Sequence, residues 1–200
     1  MHEPRVEMGV KSVIPTFTGK KFDIFRPKAE LVEILDIAHG LSQECRYAAQ
    51  ASRFYSVAEH SVAVSRWAET LASKAGHPYS VTNRIALWGL IHDASEAYGL
   101  RDLPAPIVST APWGAAYKLS HSVVMKAVCE RFALQSAMPG EVVEADIRMV
   151  TTEWKTLIHE SIPYSFYKEK EPEPFPMKID CLAPVDAKAL FLLRFNHLTR

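Results

Sequence analysis

His92 and Asp93 stand side by side where the apolar run "IALWGLI" ends, with Glu96 three residues further on and Asp102 after it. Imidazole and carboxylate together form a ligand set for a divalent cation, and a nearby carboxyl can also move protons. Two more residues fit that chemistry. His60 lies one turn after Val57 and one before Val64 in a helical pattern, while Asp146 lies three after Val143 and four before Val150. A carboxylate turned toward an apolar face is costly unless it meets a cation, a strong hydrogen-bond network or a water-filled cleft. Two imidazoles and two carboxylates make a mixed nitrogen and oxygen set that suits manganese, cobalt, iron or zinc, with magnesium admissible and positions left for water and substrate. Plainer roles exist for each residue alone: a core histidine that is merely hydrogen-bonded, or an Asp146 paired with an arginine such as Arg148.

The elements that must position these groups are helical. Leu31, Ile34, Leu35, Ala38 and Leu41 recur at spacings of three and four and predict a helix over 28–41. Ser56 and Glu59 stand in capping-box spacing and open a second helix that closes at Gly76, with Val57, Ser61, Val64, Ala68 and Leu71 inward. A third helix is expected from about Ser80 to Tyr98, apolar nearly all round and therefore central, ended by Gly99 and the prolines of "DLPAP". The stretch 112–134 predicts a fourth. A fifth is expected from about Glu141 to Ser161, its inward stripe being Val143, Ile147, Val150, Trp154 and Leu157, and a closing helix over 185–198. Residues 1–27 read as an irregular N-terminal arm with at most a short strand, and the proline-rich, aromatic 162–184 as a surface loop or arm available for self-association. The expectation is a single all-α domain over 1–200, a compact bundle of about six main helices.

Composition narrows the function classes. Twenty-three basic and 23 acidic residues balance, so no overall field draws the chain to a nucleic acid polymer or an anionic membrane, and a small-molecule ligand is expected. Cys45, Cys129 and Cys181 are three cysteines without paired spacing, which argues against a disulfide framework or a thiolate zinc site and for a reducing compartment. No run approaches the roughly 20 apolar residues of a membrane span, so a cytoplasmic protein is expected.

Three segments, "YSVAEHSVAVSRWAE", "ALWGLIHDASEAYGLRDLPAPI" and "VVEADIRMVTTEWKTL", resemble in order the metal-binding segments of the HD-domain phosphohydrolases. The nearest likeness is to the small single-domain branch of bacterial 5'-deoxynucleotidases and phage dATP triphosphohydrolases, and it runs from about Thr16 to Leu157. The resemblance implies an all-α bundle and a metal set on His60, His92, Asp93 and Asp146. It implies a phosphate-gripping arginine at Arg46, a second catalytic carboxylate at Glu96, and a catalytic or sugar-binding acid at Asp102. Tyr47 stands where those relatives often carry tryptophan, so a substrate-facing aromatic is implied there. The interval from His92-Asp93 to Asp102 is one residue longer than in the deoxynucleotidases and includes Arg101, which favours a longer phosphate chain. Lys118, Lys126 and Arg53 are candidates for further phosphate contacts, whereas His39, His77, His121, His159 and His197 carry no matching pattern.

The expected activity is metal-dependent hydrolysis at the 5'-phosphate of a 2'-deoxynucleotide, leaning to a dATP triphosphohydrolase, with a 5'-deoxynucleotidase acting on dNMPs as the alternative. A non-catalytic nucleotide sensor is the alternative of another class. The resemblance also implies a homo-oligomer, in the cytoplasm or, for a phage-encoded protein, that of its host.

Overall fold

The computed structural model describes residues 12–200, so the first part of the expected N-terminal arm lies outside the described residues. Seven α-helices make the body: α1 (Ile34–Gln43), α2 (Val57–Lys74), α3 (Tyr79–Ile91), α4 (Ala105–Val108), α5 (Trp113–Arg131), α6 (Gly140–Leu157) and α7 (Pro184–Leu198). Among the described residues the sheet structure is a two-stranded antiparallel hairpin, β1 (Val13–Pro15) with β2 (Lys21–Asp23), in which Ile14 pairs with Phe22, and short 3₁₀ turns complete the regular structure. The all-α expectation holds. Among the described residues no helix is long and apolar enough to cross a membrane.

The central rod is α2, which packs against α1, α3, α6 and α7. Every residue from Val57 to Ser65 is buried, including the polar Glu59, His60, Ser61 and Ser65. Its start follows the capping rule in part: Ser56 Oγ accepts from the Glu59 N–H at 3.1 Å, which satisfies one of the donors left free at a helix N-terminus. The Glu59 carboxylate does not return to Ser56. It accepts instead from the backbone N–H groups of Asp180, Cys181 and Leu182 at 3.2, 3.0 and 2.7 Å, and so fastens the segment before α7. On the opposite flank Ser65 Oγ donates to the Ala86 carbonyl at 2.7 Å, and Gly89 lets α3 approach so closely that a Cβ there would lie 3.1 Å from Ser65 Cα. Arg194 of α7 closes the cluster on Ser65 Oγ (3.0 Å) and Glu69 (2.7 Å).

Four expectations need correction. The helix over 28–41 is a 3₁₀ turn at Ala29–Leu31 followed by α1, in which Leu35 is exposed and Asp36 is buried, accepting from the Thr18 N–H and hydroxyl. The third helix ends at Ile91 rather than Tyr98: His92 caps it, and the chain passes through a tight turn into a 3₁₀ turn at Glu96–Tyr98 that Gly99 terminates at φ 92°. The fifth ends at Leu157, and its buried stripe is Val142, Ala145, Met149, Thr152, Glu153 and Leu157, while Val143 and Ile147 are exposed. The proline-rich 162–184 is a strap rather than a free arm: Tyr164, Phe175 and Ile179 are buried, Phe175 stacks on Trp67 at 4.0 Å, and its N–H donates to Thr152 Oγ1 at 2.8 Å.

Candidate metal centre

Three neighbouring elements deliver the ligand set. His60 comes from the first turn of α2, His92 and Asp93 from the C-terminal edge of α3, and Asp146 from the second turn of α6. His60 Nε2 lies 3.2 Å from Asp146 Oδ1 and 3.8 Å from Asp93 Oδ2; His92 Nε2 lies 3.1 Å from Asp93 Oδ2 and 3.9 Å from Asp146 Oδ1. One atom from each of His60, His92 and Asp93 falls within 4.8 Å of the others, a group that could hold a metal ion. The histidines are buried, and the centre opens on its acidic side, where the Asp93 and Asp146 side chains are 18% and 36% exposed.

Both rings are pinned through their other nitrogen. His60 Nδ1 lies 2.5 Å from Glu153 Oε1, and His92 Nδ1 lies 2.8 Å from the Gly89 carbonyl oxygen. Those acceptors call for Nδ1–H on each ring, which turns both Nε2 atoms toward the two carboxylates. Each Nε2 is buried and has no hydrogen-bond partner among the described residues. Orphaned ring nitrogens facing paired carboxylates, with the distal N–H anchored, are the geometry of metal-ligating histidine, so the residues fit a cation.

The charges lean the same way. Burial and Arg46 work to lower the His60 pKa, but Glu153 and Asp146 outweigh them and raise it to about 9. Burial likewise opposes protonation of His92, and Asp93 overcomes it and raises the pKa. Asp93 is held well below the usual carboxylate range, the surrounding His92, His60 and Arg46 overriding the upward push of burial. The cavity therefore demands positive charge, which protons satisfy when nothing else does.

Glu96 sits beside this group with Oε2 buried and unpartnered. Burial first, and then the charges of Asp93, Asp102 and Glu44, push its carboxyl well above the ordinary value. Arg46 is buried, donates from Nε to Glu153 Oε2 at 3.1 Å, and holds Nη1 at 3.9 Å from Asp93 Oδ2. Asp102 joins the rim through its N–H, which donates to Glu44 Oε1 at 2.8 Å. Tyr47 is close by, but its hydroxyl is spent on Glu153 Oε2 at 2.7 Å, so only the ring is free to meet a ligand. Arg101, which the spacing suggests for extra phosphate, reaches Glu44 Oε2 at 3.4 Å. Lys118, Lys126 and Arg53 are exposed and paired with nothing at the centre.

Sequence reading missed Glu153 and Glu44, both buried acids, and set aside His121. Glu153 accepts four hydrogen bonds at once, and Glu44 holds the turn that carries Asp102. His121, on α5 near Tyr117, feels the charges of Asp93 and His92, while burial, the largest cause, lowers its pKa. The signal for Glu153 was its position seven residues after Asp146, two helical turns along the same face. Two cavities lie away from this centre. One of about 300 Å³ lies between α2 and the strap, bordered by Trp67, Met177 and Lys178, and one of about 320 Å³ lies between the hairpin and α1.

Fold and site together define an all-α bundle built around a His-His-Asp group suited to a metal ion. The chain is 33% identical over 188 residues to the uncharacterized protein YfdR of Escherichia coli (strain K12), a match covering 94% of this chain and 96% of that protein. It is 32% identical over 195 residues to an uncharacterized protein of Rhodobacter capsulatus, covering 92% and 93% of the two chains. It belongs to the family these two proteins represent. No family model matches the chain.

Proposed function

We propose that this protein is a divalent-metal-dependent phosphohydrolase acting at the 5'-phosphate of 2'-deoxynucleotides. The supporting observation is the pair of buried, unpartnered Nε2 atoms aimed from two helices at two carboxylates, with a guanidinium and a protonatable carboxyl beside them. His60, His92, Asp93 and Asp146 would hold the cation, manganese, cobalt, iron or zinc by ligand type, with magnesium admissible. Such a cation lowers the pKa of a water molecule and polarises a phosphoryl oxygen.

The chain's own groups supply the rest. Arg46 keeps its orientation through the Nε bond to Glu153, which leaves the Nη groups to grip phosphate and offset its charge in the transition state. Glu96 moves a proton between the attacking water and the leaving oxygen. Asp102 hydrogen-bonds the sugar hydroxyls or the leaving 5'-oxygen, and the Tyr47 ring packs against sugar or base. Water adds across the bond between phosphorus and the 5'-oxygen, releasing deoxynucleoside and the phosphate chain. For dATP the products are deoxyadenosine and tripolyphosphate. The pairing of Arg101 with Glu44 favours a second reading in which a dNMP is the substrate, because that guanidinium is already engaged. A cytoplasmic setting and assembly into a homo-oligomer belong to the same reading, the three unpaired cysteines fitting the first and Phe166, 82% exposed on the strap, offering a contact for the second.

A panel of mono-, di- and triphosphates of ribo- and deoxynucleosides, incubated with several divalent ions and resolved by chromatography, tests the proposal. Metal-dependent release of deoxyadenosine from dATP supports the triphosphate form, and consumed dAMP beside intact dATP supports the monophosphate form. Nucleotide binding without turnover under every ion would overturn the enzyme in favour of a sensor.

A further inference from the structure

Glu153 is entirely shielded from solvent, yet its two oxygens take four donors. Oε2 accepts from Arg46 Nε (3.1 Å) and the Tyr47 hydroxyl (2.7 Å), and Oε1 accepts from the Tyr55 hydroxyl (3.1 Å) and His60 Nδ1 (2.5 Å). These partners come from the loop before α2 and from α2 itself, about a hundred residues away in sequence, and that loop is under strain. Tyr47, Ala48 and Ala49 are three successive non-glycine residues at φ 58°, 50° and 61°, a conformation that persists only where surrounding contacts enforce it. The enforcing contacts include the two that Arg46 and Tyr47 make to Glu153.

We infer that Glu153 is the positioning residue that locks the metal ligand His60 and the phosphate-gripping Arg46 into a single frame. This rests on the metal-centre reading above. One oxygen sets the ring of His60 with Nδ1–H inward and Nε2 toward Asp93 and Asp146; the other fixes the guanidinium so that its Nη1 faces the same centre. A carboxylate is needed because it accepts on both sides. Glutamine has one acceptor oxygen and one donor NH₂, so in the same place its NH₂ must face either Arg46 or His60. Arginine cannot accept. His60 can accept at Nδ1 only by moving its proton to Nε2, which removes the lone pair a cation requires.

Calorimetric titration of the metal-free protein with Mn²⁺, and of the zinc-saturated protein with inorganic phosphate, tests the inference in the wild type, Glu153→Gln and Tyr55→Phe. Glu153→Gln is expected to weaken Mn²⁺ or phosphate by about tenfold or more, the scale on which partners that orient metal ligands act. Tyr55→Phe, which removes one hydroxyl and leaves the His60 and Arg46 bonds, is expected to leave both affinities nearly unchanged. Glu153→Gln with both affinities unchanged overturns the inference while leaving the metal centre standing. Should that variant not fold, nitrogen-15 spectra of the zinc-loaded wild type decide: His60 coordinating through Nε2 with a protonated Nδ1 supports the frame, and coordination through Nδ1 overturns it. A wild type that binds neither Mn²⁺ nor Zn²⁺ overturns the metal-centre reading itself, and this inference with it.

Discussion

In the proposed centre the protonation state of the two histidines links metal binding to pH. The His60 pKa of about 9 lies above its ordinary 6.5, and that of His92 is also raised, so near neutrality the metal-free centre holds protons where a cation would bind. Metal must displace them, hence affinity for Mn²⁺ is expected to rise with pH from 6.5 to about 9, by ~10-fold per unit for each proton released. Calorimetry in buffers of different ionisation enthalpy reads that release directly, and an affinity flat over this window would contradict the assignment. Without metal the sign is opposite. The stabilisation His60 gains from its carboxylates is present below 6.5 and is lost as pH rises through about 9. Under the proposed role of Glu96 as the group that moves a proton, Glu96→Gln is expected to lower kcat by about 10²- to 10⁴-fold with metal affinity nearly unchanged; steady-state rates beside a metal titration check this. The candidate metal-holding residues were legible in the sequence because histidine and aspartate on apolar helical faces are conspicuous. Glu153 was not, since a glutamate late in a helix reads as a solvated charge until Arg46 and His60 are folded onto it.

Helix existence was legible from periodicity, while the boundaries nearest the site were not. The end of α3 at Ile91 puts His92 at the cap and Glu96 in a separate turn, an arrangement no repeat of three and four announces. In α6 the stripe was misread by one position because the buried face carries Thr151, Thr152 and Glu153, polar residues that a hydrophobic pattern assigns to water. The turn holding Glu96 depends on close packing: a Cβ on Gly40 of α1 would lie 2.7 Å from Ala97 Cα. Gly40→Ala therefore forces backbone movement next to Glu96. It is expected to cost about 1–3 kcal/mol of stability, the usual range for overpacking, and to reduce kcat. Urea unfolding and steady-state kinetics measure the two effects, and a Gly40→Ala protein as stable and active as the wild type would contradict this role for the packing.

At the scale of the whole molecule the all-α bundle followed from apolar residues recurring at spacings of three and four, and among the described residues the one sheet beside it is the small hairpin. The strap was harder to foresee. Five prolines argued against helix, but its docking depends on tertiary partners, the Glu59 carboxylate and the Trp67 ring. Because the ligands come from α2, α3 and α6, a bound cation ties three parts of the bundle together and stabilises the folded state by mass action. Saturating Mn²⁺ at a hundred times its dissociation constant is expected to add about 2.7 kcal/mol, seen as a raised Tm that a chelator reverses.

The convergence of His60, His92, Asp93 and Asp146 on one cation is tested most directly by anomalous diffraction from crystals grown with Mn²⁺. The account predicts a single strong peak within coordination distance of the Nε2 atoms of both histidines and of oxygens of both aspartates. A peak elsewhere on the surface, or none at saturating metal, would contradict it.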